Sequence, residues 1–154
     1  MKKTIYAIEK TILLLFVLFF SISIVGCSKN NSEAEANVVL KKYLDSFIKR
    51  DSVGVCSEIL PSFIRNVYGT NEECKLSFDN TIETIIGKEK VEYKVKSFKK
   101  VDDGDYEEIL SVLERDYKVD DTIENIYEFV VEINNNEFEF YLGYVDSRYY
   151  VILA

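Results

Sequence analysis

The chain has 154 residues, with 19 basic against 27 acidic side chains and a formal charge of −8 at neutral pH. It contains no histidine, which removes Ser-His triads, Cys-His pairs and most transition-metal sites from its chemistry. So acidic a surface repels nucleic acid and anionic lipid headgroups, and no nucleic-acid partner is expected.

The first ten residues hold Lys2, Lys3 and Lys10 against a single acid, Glu9. An apolar run from Ile12 to Val25 follows, broken only by Ser21 and Ser23. A basic start and a short apolar core have the form of a signal peptide. A spanning helix needs about 20 apolar residues, and this run is shorter.

The run ends in Ile24-Val25-Gly26-Cys27. This tetrapeptide resembles the lipobox of bacterial lipoproteins: an aliphatic residue, a tolerant position, a small residue and a cysteine. The resemblance implies cleavage before Cys27 and transfer of diacylglycerol to its sulfur. The competing readings are an ordinary secretory signal and an uncleaved anchor with an incidental cysteine. The length of the run and its flanks favour lipidation. Cleavage leaves 128 residues with 16 basic and 26 acidic side chains. The membrane contact is then the lipid rather than a basic patch, and two or more acyl chains are needed to hold firmly.

Ser28 to Ser32 is a polar tether reaching at most about 18 Å. The chain therefore divides into a signal segment (1–26), a lipidated cysteine with its tether (27–32) and a single domain (33–154). That domain is large enough for one core. Two cysteines remain in it, Cys56 and Cys74. Outside the cytoplasm they can form a disulfide; the alternative is two buried free thiols. They do not read as zinc ligands, with no third cysteine in the domain and no histidine.

Ser32-Glu33-Ala34-Glu35 has the form of a capping box. Ala36, Leu40, Tyr43, Leu44 and Phe47 then recur at helical spacing, with Lys41, Lys42, Asp45 and Lys49 on the other face, to a stop near Arg50-Asp51. Residues 52–69 predict one or two short helices, broken at Pro61 and stopped at Gly69. Thr70-Asn71-Glu72-Glu73 caps the next helix. Its apolar face is Cys74, Phe78, Ile82 and Ile85, and Gly87 ends it.

The period then changes. Val91, Tyr93 and Val95 alternate with Glu92, Lys94 and Lys96 as in a half-buried strand. Asp102-Asp103-Gly104-Asp105 predicts a turn, with Asp105 capping an inserted helix striped by Tyr106, Ile109, Leu110, Leu113 and Tyr117. Three strands follow. Their apolar faces are Tyr127, Phe129, Val131 and Ile133; then Phe138, Phe140, Leu142 and Tyr144; then Tyr149, Val151 and Leu153. Turns at Asn134-Asn135-Asn136 and Asp146-Ser147 join them. The prediction is an α+β domain. N-terminal helices pack on one face of an antiparallel sheet of about four strands, and one helix is inserted after the first strand.

Three segments resemble the small secreted lipoproteins of the nuclear transport factor two-like (cystatin-like) superfamily. They are the first helix, Val38 to Phe47 with Arg50-Asp51 after it, the strand Val91 to Val95, and the closing hairpin Val145-Asp146-Ser147-Arg148-Tyr149-Tyr150-Val151. The family's hairpin usually has glycine where Ser147 stands and tryptophan where Tyr149 stands. The resemblance implies a sheet curved around helices. It implies no activity, because this fold carries enzymes, binding modules and assembly parts.

No catalytic, cofactor-binding or metal-ligating residue is expected. Asp102, Asp103 and Asp105 with Glu107 and Glu108 have oxygen ligands that suit calcium, but not the spacing of a calcium loop, and a helix cap explains each of them. Tyr93, Tyr127, Phe129, Phe138 and Phe140 fall on apolar strand faces, where core packing accounts for them. A curved sheet can also leave a cavity, which makes Tyr93, Tyr127, Phe129 and Phe140 candidate pocket residues. Tyr150, opposite Tyr149, is the candidate partner contact. The expectation is a non-enzymatic interaction or ligand-binding module, anchored through Cys27 to the outer face of a bacterial cytoplasmic membrane. Its partner is an envelope protein or a small ligand, with no cofactor. The alternatives are a small hydrolase or isomerase using a buried carboxylate of raised pKa, and a structural or immunity-type envelope lipoprotein.

Overall fold

The computed structural model of the chain describes residues 31–85 and 90–154. The signal segment, Cys27 and most of the tether therefore lie outside the described residues, as does the expected stop at Gly87. Glu35–Ala154 forms one compact unit. No helix of the described residues is long and apolar enough to cross a membrane.

Helix α1 (Asn31–Ile48) buries Ala36, Leu40, Tyr43 and Leu44, the stripe its spacing predicts. Ser32, expected as the cap, lies within the helix. Asp51 caps the short α2 (Ser52–Ser57), accepting from the Gly54 N–H at 3.0 Å. Pro61 opens α3 (Pro61–Phe63), where its missing N–H is harmless. The chain then widens into a π turn (Ile64–Tyr68) that the sequence did not predict, and Gly69 closes it at φ 89°. Thr70 caps α4 (Asn71–Ile85): its hydroxyl accepts from the Glu73 N–H at 3.2 Å and donates to the Glu73 carboxylate at 2.9 Å.

The sheet is β1 (Tyr93–Lys100), β2 (Ile126–Ile133), β3 (Asn136–Val145) and β4 (Arg148–Leu153), antiparallel throughout and in chain order. Helix α5 (Asp103–Tyr117) is inserted between β1 and β2. Register slips at Lys96 in β1 and Ile152 in β4 leave one extra residue in each strand, the feature that bends a strand. Asn134-Asn135 and Asp146-Ser147 make the hairpin turns, each residue at positive φ. Glu58-Ile59-Leu60 runs beside β4: Val151 donates to the Glu58 carbonyl at 2.8 Å and Leu60 donates to the Val151 carbonyl at 3.1 Å. That strip covers one sheet edge. The other edge is β1, whose Lys94, Lys96, Lys99 and Lys100 discourage strand addition.

Three expectations need correction. Helices cover both faces of the sheet, not one. Tyr127, Phe129, Val131, Phe140, Leu142, Tyr149 and Val151 join the residues of α1, α2 and α4 in one core. Ile126, Val145 and Ile152, which point the other way, join Ile109 and Leu113 of α5 in a second. The sequence shows an apolar stripe on α5 but not the face it meets. Asp102, not Asp105, caps α5. Asp102 has an extended backbone and accepts from the Asp105 N–H at 3.1 Å, which makes Asp105 the donor within the first turn. Phe138 is not buried: it is 48% exposed, because it borders a cavity instead of packed side chains.

Candidate functional site

The cavity has a volume of about 340 Å³ and lies on the α1–α4 face of the sheet. Helix α1 supplies Tyr43, Leu44 and Phe47, and α4 supplies Phe78 and Thr81. The β2–β3 hairpin contributes Ile133, Asn134, Asn136, Phe138 and Phe140, with Val91 and Ala154 completing the wall. Among the described residues that line it, no side chain is charged.

Each wall has a local cause. Cys74, Phe78 and Thr81 recur at helical spacing on α4, so whatever holds Cys74 also aims the other two. Cys74 is joined to Cys56 of α2 by a disulfide, with 6.3 Å between Cα atoms, and both cysteines are buried. Phe78 lies edge-on to Tyr43 with ring centroids 6.5 Å apart, and Tyr43 is edge-on to Phe140 at 5.9 Å. Tyr43 is thus wedged between α4 and the sheet. Burial, then the neighbouring Tyr68, pushes its phenol pKa well up.

The hairpin end is pinned to the strand entry. The Asn134 N–H donates to the Glu92 carbonyl at 3.2 Å, and the Glu92 N–H donates to the Asn134 side chain at 3.1 Å. These two bonds hold Val91 against the cavity. Phe138 and Phe140 stand opposite Val131 and Phe129 in register, on the same face of β3.

Of the candidate pocket residues, only Phe140 lines this cavity. Phe129 is fully buried beneath Phe98, with centroids 5.7 Å apart. Tyr127 packs on Tyr149 at 5.8 Å. Tyr93 shares the face, but its phenol donates to Asp45 at 2.8 Å. Burial first, then that bond and the Asp45 charge, push it up to about 12. Tyr150, the candidate partner contact, is half-buried against the α5-side core, with the Arg148 guanidinium 4.9 Å over its ring.

The sequence reading treated Tyr43, Phe47 and Phe78 as core and Asn134 and Asn136 as turn residues. Their periodicity is the same whether the space they face is filled or empty, so no sequence signal marks them. The carboxylate of Glu58 is buried, but it caps the end of α2, pairs with Arg148 and does not line the cavity. Among the described residues, no group of three or more His, Cys, Asp or Glu side chains could hold a metal ion. Comparison with protein-family models, with curated proteins and with solved structures gives no significant match.

Proposed function

We propose that the protein is a membrane-anchored extracytoplasmic binding module, lipidated on Cys27, whose recognition site is the cavity between α1, α4 and the β2–β3 hairpin. The observation that carries this reading is an aromatic-walled space of about 340 Å³ that the core leaves unfilled. Its size falls within the range of sites for small molecules, and its few polar groups suit orientation more than chemistry. The Cys56–Cys74 disulfide is compatible with a location outside the cytoplasm. A carboxylate-dependent enzyme finds less support here. The described cavity wall offers no carboxylate side chain, and Glu58 is held by Arg148 at the edge of β4.

The test has two parts. In a bacterial host fed a labelled fatty acid, the chain takes up label and the Cys27→Ala variant takes up none. Labelling that persists in the variant contradicts the anchor. Mature protein isolated from membranes after mild crosslinking carries a retained ligand or a partner crosslinked at the cavity. Recovery of neither contradicts the binding role.

A further inference from the structure

Charged side chains make up 30% of the sequence, yet the described cavity wall carries none. Tyr43, Phe47, Phe78, Phe138 and Phe140 give it an aromatic body. The Asn134 and Asn136 amides and the Thr81 hydroxyl supply donors and acceptors without charge. A carboxylate, sulfate or ammonium drawn into such a space loses its hydration and meets no counter-charge among the described side chains of the wall. A hydroxyl or amide meets partners of its own kind. We infer that the cavity takes an uncharged amphiphile, an apolar chain or ring with a neutral hydrogen-bonding head, and excludes charged ones. This rests on the cavity being the recognition site.

The cavity offers edges and faces of aromatic rings rather than a fixed hydrogen-bonding lattice, so it selects on polarity and charge more than on outline. Selection against charge is also the distinction that matters at a membrane surface, where charged and neutral amphiphiles are both at hand. Phe138 is the residue on which this selection turns. It is 48% exposed at the cavity border, so it can be replaced without opening a core. A cation placed there would supply the counter-charge that the described side chains of the wall lack.

Three photoreactive probes with the same diazirine-bearing dodecyl chain test this: an alcohol, a sulfate and a trimethylammonium. Each is added to the full-length lipoprotein on phosphatidylcholine vesicles, and labelled peptides are mapped by mass spectrometry. The alcohol is expected to label peptides carrying Phe47, Phe78 or Phe138 at least tenfold more than either charged probe. In Phe138→Lys, sulfate labelling of the same peptides should rise about tenfold while the melting curve stays close to that of the parent. Thr81→Phe, which fills the space from α4, should cut alcohol labelling severalfold.

Equal labelling by all three probes overturns the inference. So does a Phe138→Lys variant that folds but gains no sulfate labelling. If no probe reaches the cavity but a protein partner crosslinks there, the inference fails and the recognition site stands. If neither a probe nor a partner reaches it, both fail.

Discussion

The two faces of the sheet are built from similar residues and packed to different ends. On the α5 face a small core packs tightly, and the space of about 320 Å³ beside it is lined by the carboxylates of Asp105, Glu108 and Glu128. Leu113, Ile126 and Ile152 are 1% exposed, and a methyl group added at Gly143 would stand 2.7 Å from Ile123 and 3.2 Å from Ile152. Beyond this small core the face is polar, with Lys96 and Lys99 paired to Glu132 and Glu128 at 3.0 Å. On the α1–α4 face the core is larger, yet it stops short at the hairpin end and leaves the cavity. Helix α4 is tied to α2 by the disulfide, and the side chains of α1, α4 and the hairpin end leave the space between them unfilled.

The disulfide gives the largest expected effect on that difference. It encloses the π turn and fixes α4, so replacing Cys56 and Cys74 together with alanine should cost about 3 kcal/mol in urea denaturation. The same variant should lose labelling of the α4 wall before the α5 face opens, as hydrogen exchange can show. An unchanged midpoint would mean that α4 is held by something else.

Next is a matched pair of added methyl groups. Gly143→Ala crowds the tightly packed α5-side core and should destabilise by about 1–3 kcal/mol. Val91→Ile extends into the cavity and should be neutral or stabilising by up to about 0.8 kcal/mol, the value of one buried methylene. Equal costs at the two sites would erase the contrast between the faces.

A third effect appears at alkaline pH and draws on both faces. Tyr93 on one and Tyr141 on the other are each pushed up to about 12, chiefly by burial and then by hydrogen bonds to Asp45 and Glu139. Tyr43 is raised by burial as well. An unfolded tyrosine loses its proton near pH 10. Above that, the folded state binds more protons than the unfolded one, and stability falls with rising pH. This stabilisation is therefore complete below pH 10 and lost as pH climbs through the raised values. Urea midpoints should decline steeply from pH 10 to 12, and less steeply in Tyr93→Phe.

The smallest effect concerns the turns. Ser147 sits at φ 71°, a region where a side chain is strained and glycine is not. Ser147→Gly should stabilise by about 0.5 kcal/mol, read from thermal melts, and leave the cavity untouched.

These contrasts also show what the residue pattern can reveal. Turns, caps and strands were legible because each is local. Asn134-Asn135, Thr70 with Glu73, and the alternation from Tyr127 to Ile133 state their geometry within a few positions. The cap of α5 was misplaced by three residues because Asp102 and Asp105 are both suitable, and only the backbone decides. The face chosen by α5 was not legible, because a stripe such as Ile109 and Leu113 says what must be buried and not against what. The cavity was least legible of all. Phe78 and Phe138 look like core residues in the sequence, and the space between them is a property of three elements at once.

The central claim is that the cavity on the α1–α4 face, and not the acid-lined space on the α5 face, receives an uncharged ligand. Hydrogen-exchange mass spectrometry on vesicle-bound full-length protein, with and without dodecanol, addresses it directly. The account predicts slower exchange in α4 and around the 133–140 hairpin, with no change in α5. Protection confined to α5, or none anywhere at saturating dodecanol, would contradict it.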